Sequence, residues 1–466
     1  MIRKLQKWAI AGVICMLGGT ILPTSHAAAA ITAANQQHYD DATVTEWKQW
    51  VKENAVFMKI NPENSKSLKE KDVFQDLQFL KPLLKDKRMV SLGEASHGAS
   101  EYNSVKVRLV QFLHEEMGFD VIAFESLLGD ASVAYAQIGK DKPKETMNKA
   151  IYGVWQVEEN LALFEYIVER SKTDRPLILT GFDVQATTEP FKAFGNEWFS
   201  SVDPSVGRRF EQAERRFIEV HSFDDMKKFR NVQKDLIQEY RALQTFVAKN
   251  ETKLKSLIPQ HEDMVPIMKR VLQNRIDVLD NYVEHMVRMW ADMDTKHLPK
   301  ASYLRDKMMA DNVAWLAEEM YPDKKIILWG HNYHIRKHNS TMITEHNGMG
   351  FSNDPYPTMG EMLPAELQRQ HYVIGLYAYQ GSSLKNNDKT EAVKLPHPHG
   401  SLEDILKAGG HPVSFINLEN QPLEQGTSWM YTPRVAKAWG VLDEVMIARD
   451  QYDGIVFIDT IYPSKR

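Results

Sequence analysis

The sequence predicts an α/β protein, with a largely parallel sheet core flanked by helices and a large helical hairpin inserted into it. Three observations predict it. Seven short apolar runs read as strands buried on both faces: Met89–Leu92, Val121–Phe124, Leu177–Leu179, Ile326–Trp329, Tyr372–Tyr377, Val413–Leu418 and Ile455–Ile458. Helical patterns lie between many of them, and strands alternating with helices favour parallel pairing. From about residue 198 to 321 the alternation stops. There Phe229, Val232, Leu236, Tyr240, Leu243 and Val247 recur at helical spacing, as do Met268, Leu272, Ile276, Leu279, Val283, Met286 and Trp290. Such spacing gives two long amphipathic helices, read here as a hairpin.

The N-terminus reads as a leader rather than as part of the fold. Arg3, Lys4 and Lys7 precede an uncharged apolar run from Trp8 to Leu22, Pro23 breaks it, and Ser25-His26-Ala27 offers a cleavage site. That is the pattern of a signal peptide over residues 1–27, with residues 28–466 as the mature domain. A run of about 15 residues is short for a membrane span. The expectation is a secreted or extracytoplasmic protein with no stable membrane anchor after cleavage. The one cysteine, Cys15, lies inside this leader. The mature chain therefore lacks disulfides and a thiolate nucleophile, which for an exported protein fits a bacterial source. The net charge of −5 becomes −8 once the three leader cations are removed. This argues against a nucleic-acid partner, which needs a basic face.

The chemistry concentrates at predicted strand ends. After the first strand comes Gly93-Glu94-Ala95-Ser96-His97-Gly98, then a helix with Val105, Leu109, Phe112, Leu113 and Met117 on one face. Glu94 and His97 thus sit in a tight strand-to-helix turn. Glu125 follows the second strand, Asp183 and Gln185 the third, and His331-Asn332-Tyr333-His334 the fourth. In an open α/β sheet the carboxyl ends of strands are where ligands bind. Histidines beside carboxylates suit acid–base work: one imidazole takes a proton from water, a carboxylate fixes its tautomer, and a second imidazole can meet a developing oxyanion. There is no G-x-S-x-G elbow and no H-E-x-x-H. A zinc site made of His97, His331 and His334 stays open at this point.

Taken in order, these blocks resemble the erythromycin esterase family. Leu92-Gly93-Glu94-Ala95-Ser96-His97-Gly98 with Glu101 is similar to the family's opening signature. Gly118-Phe119 leading to Glu125, Gly181-Phe182-Asp183-Val184-Gln185, Arg305-Asp306 with Met309 and Asn312, His331-Asn332-Tyr333-His334, Met359-Gly360 and Tyr452-Asp453 resemble the blocks that follow. The resemblance implies an α/β core with a large helical portion and hydrolysis of a small-molecule ester by activated water, with no cofactor and no metal. Macrolide lactones are the family's substrates. It implies His97 as general base, Glu125 as its orienting carboxylate, Glu94 and His331 as further catalytic groups, and His334, Lys106, Asp183, Gln185 and Asn332 as substrate-binding residues. Lys106 stands where resistance enzymes are expected to carry arginine, and lysine lacks the bidentate fork. Two other readings stay open: a haem- or iron-binding protein of related fold, and a protein of polysaccharide modification.

Overall fold

A computed structural model describes residues 39–64, 66–70, 72–185, 189–345, 351–353 and 356–466. The leader, its cleavage site and Cys15 lie outside the described residues. In chain order the strands are β1 (Val56–Phe57), β2 (Met89–Leu92), β3 (Phe119–Leu127), β4 (Ile178–Asp183), β5 (Lys325–Trp329), β6 (Ile343–Glu345), β7 (Phe351–Asn353), β8 (His371–Leu384), β9 (Thr390–Ala392), β10 (Val413–Asn417), β11 (Arg434–Ala438), β12 (Leu442–Met446) and β13 (Gly454–Ile461). The fold is a mixed α/β arrangement with a mostly parallel sheet flanked by helices.

All seven apolar runs are strands. Their residues are apolar on both faces because both faces are covered, as in β2, where all four residues are buried. Six short strands (β1, β6, β7, β9, β11 and β12) had no such signature.

The chain divides into two compact units. One comprises residues 121–152 and 167–323. In it β3 runs parallel to β4, from Val121 opposite Ile178 to Leu127 opposite Asp183. The register shifts between Phe124 and Leu127, so a bulge falls at Glu125-Ser126. Bulges re-aim side chains and are frequent beside functional sites. The helices Met226–Lys249 and Met264–Asp277 pack on each other, with Leu236, Tyr240, Leu243, Met268 and Leu272 buried. The second of these continues through a π-turn at Val278–Tyr282 into Val283–Asp292.

The described part of the other unit comprises residues 39–120, 153–166 and 324–466. Its strands follow the order β1-β10-β13-β8-β2-β5. β2 is parallel to both β5 and β8, and β13 is parallel to β8; β10 and β1 close that edge antiparallel. A second, antiparallel sheet has the order β11-β12-β6-β7. The helix Ser100–Met117 follows β2 and ends at Gly118, whose left-handed φ of 73° makes it a C-cap. The sequence predicts one apolar face for this helix, but Asn103, Lys106, Arg108, Gln111 and His114 are buried as well. Each has a partner: Arg108 takes Glu63 and Asp76, and Gln111 takes the backbone of Glu63. A buried charge needs such pairing to be tolerated. Among the described residues no helix is long and apolar enough to cross a membrane.

Candidate active site

The turn after β2 is held by two glycines where a side chain has no room. A Cβ on Gly93 would lie 2.0 Å from Asn332 Oδ1, and one on Gly98 would lie 2.2 Å from the Leu384 carbonyl oxygen. The chain therefore passes close to its neighbours here, and Glu94 is turned fully into the interior. Its Oε1 faces His97 Nδ1 at 2.7 Å and accepts the indole N–H of Trp155 at 2.6 Å. Its Oε2 is bound by the Lys106 ammonium, which lies 4.0 Å from the centre of the Trp329 ring. Burial pushes the Glu94 carboxyl up, but Lys106 and His97 outweigh it and hold the group below the usual carboxylate range. Glu94 is thus a carboxylate at neutral pH. A neutral His97 then carries its proton on Nδ1, facing Glu94, and presents Nε2 as a base.

The second histidine is fixed in a complementary state. His331 follows β5 and caps the short helix Asn332–Ile335, its Nδ1 accepting the Tyr333 backbone N–H at 3.2 Å. Burial, followed by the neighbouring His97, His334 and Arg336, holds its imidazole well below the ordinary histidine range. His331 is therefore neutral. With Nδ1 accepting, its proton is on Nε2. The rings of His97 and His331 lie 5.0 Å apart. One imidazole offers a lone pair and its neighbour offers an N–H.

Two tryptophans frame the pair. Trp155, at the end of a 3₁₀ turn, meets His97 edge-on at 5.0 Å besides bonding Glu94. Trp439, in the turn joining β11 to β12, stacks on His331 at 4.7 Å with an interplanar angle of 20°. It also meets His97 edge-on at 5.1 Å. Trp439 and Gly440 both have positive φ, 55° and 71°, and the Val441 N–H donates to the Ala438 carbonyl. Glycine accepts such a backbone freely, whereas a bulky residue there is strained by roughly 1–3 kcal/mol. The strain is held from both sides. The Trp439 N–H donates to the Ala95 carbonyl at 2.9 Å, and the Lys394 N–H donates to the Gly440 carbonyl at 2.8 Å.

The unit containing β3 and β4 carries its own polar cluster. The Arg305 guanidinium binds Asp183 through Nη2 at 2.6 Å and reaches Glu125 Oε1 at 3.1 Å. Asp183 also accepts from Tyr152 Oη, the Val184 N–H and Gln185 Nε2, at 3.0, 2.7 and 3.0 Å. Burial raises the Asp183 carboxyl, but Arg305 more than reverses that and it stays low. Asn312 supports the cluster by donating to the Phe182 carbonyl at 3.0 Å.

Several residues singled out in the sequence have partners of their own within the protein. The carboxylate on His97 Nδ1 is Glu94, the role the resemblance assigned to Glu125, which receives Arg305. Lys106, given a substrate-binding role by the resemblance, is fully buried and paired with Glu94. Asp183 is 1% exposed, and its oxygens serve Arg305, Tyr152 and its own loop. Asn332 is a structural clip. It takes the Glu94 carbonyl with its backbone N–H and bridges the Leu376 backbone with its side chain. His334 lies on the same short helix as His331, and its charge bears on His331. Sequence reasoning missed Trp155 and Trp439. Both come from distant segments, and only the positive-φ position before Gly440 marks either as unusual. Among the described residues no group of three or more His, Cys, Asp or Glu side chains is arranged to hold a metal ion.

The chain belongs to the erythromycin esterase family, whose profile matches residues 114–461. It is 38% identical over 453 residues to the Bacillus subtilis protein named "Putative hydrolase YbfO", covering 95% of this chain and 96% of that one. It is 23% identical over 399 residues to the erythromycin esterase type II of Escherichia coli, covering 81% and 90%. In fold it is similar to a solved succinoglycan biosynthesis protein, with TM-score 0.68 and 18% identity over 92% of this chain and 100% of that one. It is also similar in fold to a mutant erythromycin esterase in its open conformation, with TM-score 0.56 and 18% identity over 83% and 94%. Family membership and the relatives' names point to a hydrolase.

Proposed function

We propose that this chain is a carboxylic-ester hydrolase in which His97 activates water without a metal. The observation that carries this reading is the pair of opposed imidazoles. Glu94 fixes the proton of His97 on Nδ1, and the Tyr333 N–H fixes that of His331 on Nε2. His97 Nε2 takes a proton from water as it attacks the ester carbonyl, and Glu94 stabilises the imidazolium that forms. His331 donates from Nε2 to the oxyanion, a task that a neutral imidazole performs without surrendering its proton. His97 then returns the proton to the departing alkoxide. In this reading the enzyme is exported, as its leader pattern suggests. Lys106 sets the charge on Glu94 and leaves macrolide lactones among the candidate esters.

The test is kcat on p-nitrophenyl acetate, followed by mass-spectrometric product analysis on a macrolide panel, with and without exhaustive chelation. His97→Ala is expected to lower kcat by at least about 10², the usual contribution of a positioned general base. KM should move far less. A folded His97→Ala protein that keeps more than about a tenth of wild-type kcat would remove His97 from the reaction. Activity lost on chelation and restored by one metal would overturn the metal-free reading.

A further inference from the structure

We propose that Trp439 is a positioning residue for this reaction: the indole face, delivered by a strained hairpin turn, holds the His331 ring in the orientation from which it donates. Several observations converge on that residue. Its ring is nearly parallel to His331 and edge-on to His97, so one side chain sets the mutual angle of both imidazoles. Its backbone sits at a φ that bulky residues rarely adopt. In the turn Trp439-Gly440-Val441 between the paired Ala438 and Leu442, a left-handed backbone favours glycine or asparagine, so a tryptophan there is held against its backbone preference. The turn is also fastened rather than loose. The Trp439 N–H is bound to Ala95, inside the Glu94–His97 turn itself, and the Gly440 carbonyl accepts from Lys394. One residue pair before the tip, the Lys437 N–H donates to the fully buried Glu403 at 2.7 Å. A tip tied at three points transmits little freedom to the ring it carries.

The proposal rests on the hydrolytic reading for its kinetic consequence but not for its structural one, so the two can fail separately. Trp439→Phe keeps a flat face, and Trp439→Leu keeps bulk without one. On p-nitrophenyl acetate, Trp439→Phe is expected to retain kcat within about threefold, and Trp439→Leu to lose at least about tenfold, with KM little changed. In ¹⁵N-histidine-labelled protein, the Nε2–H signal of His331, assigned by its loss in His331→Asn, is expected to persist in Trp439→Phe. In Trp439→Leu it should broaden or divide between tautomers. If the leucine and phenylalanine variants match in kcat and in the His331 signal, the face does nothing and the proposal is overturned. If wild type hydrolyses no ester, the hydrolytic reading fails, and the imidazole spectra still decide the role of Trp439.

Discussion

At the scale of single residues, the most consequential group is Glu94. It has no exposure, and every partner on its carboxylate is buried too: His97, Trp155 and the Lys106 ammonium. Removing one half of a buried ion pair strands the other charge, at a cost of about 3–5 kcal/mol. Glu94→Gln should therefore destabilise the protein by that order, read as a lower denaturant midpoint, as well as slow any reaction that depends on His97. Lys106→Met should destabilise similarly, while the double variant Glu94→Gln/Lys106→Met should recover much of the loss, because neither charge is then stranded. Additive losses in the double variant would show that the pair is not coupled. Lys106 also shows where sequence reading stops at this scale. Its position one residue after Val105 gave no sign that the helix is buried all round. A lysine beside a motif histidine reads equally as ligand contact or counter-ion until the carboxylate is seen beneath it. Glu94, His97 and His331 were legible because strand ends and turn chemistry are local. Trp155 and Trp439 were not, because contacts from 58 and 342 residues beyond His97 carry no local periodicity.

At the scale of elements, the hairpin β11–β12 depends on a carboxyl group that changes charge near neutrality. Burial raises Glu403 to about 7. Its Oε1 accepts the Lys437 N–H, and its Oε2 lies 3.7 Å from His397 Nδ1. His397 Nε2 bonds the Tyr379 carbonyl at 2.6 Å, so that nitrogen carries the proton and Nδ1 is an acceptor. A protonated Glu403 suits this surrounding, and an ionised one does not. Because its folded pKa lies above the unfolded value, the folded state holds the extra proton and loses stability as pH rises from about 4.5 to about 7. Glu403→Gln, which mimics the protonated form, should match wild type at pH 5. At pH 8 it should exceed it by on the order of 3 kcal/mol. Equal thermal midpoints for the two proteins at both pH values would refute the raised pKa. The strands of this element were invisible in the sequence for a physical reason. Arg434–Ala438 and Leu442–Met446 interrupt their apolar residues with Arg434, Lys437, Asp443 and Glu444, and Lys437 and Glu444 are buried only because Asp443 and Arg336, the latter distant in sequence, pair with them. β2, β5 and β13 were legible because each holds a short, mostly apolar run buried on both faces.

At the scale of the whole molecule, buried neutral histidines shape acid stability. His371 is 2% exposed and bonded to Ser91 Oγ at 2.7 Å, and burial lowers it to about 3. His331 is lowered in the same direction. A base whose folded pKa lies below its unfolded value gives stability that is complete above about 6.5 and is lost as pH falls towards the folded value. His371 alone would cost on the order of 5 kcal/mol across that range. The depressed carboxylates Glu94 and Asp183 add to the loss further down, as pH falls below their ordinary values. The gain from protonating Glu403 is smaller than these combined losses. Thermal midpoints should therefore decline steadily from pH 6.5 to pH 4, and calorimetry showing a flat profile over that interval would contradict this.

The strand order also has a consequence in time. β2 leaves the ribosome early, yet the strands that flank it, β5 and β8, begin at Lys325 and His371. Translation at about 5–20 residues per second makes that wait on the order of tens of seconds. For that interval four consecutive residues, Met89 to Leu92, have both edges unpaired. Such a segment favours a chaperone-held, unfolded nascent chain over domain-by-domain folding during synthesis. Limited proteolysis of stalled ribosome complexes should find β2 cleavable in every nascent chain that stops short of β8.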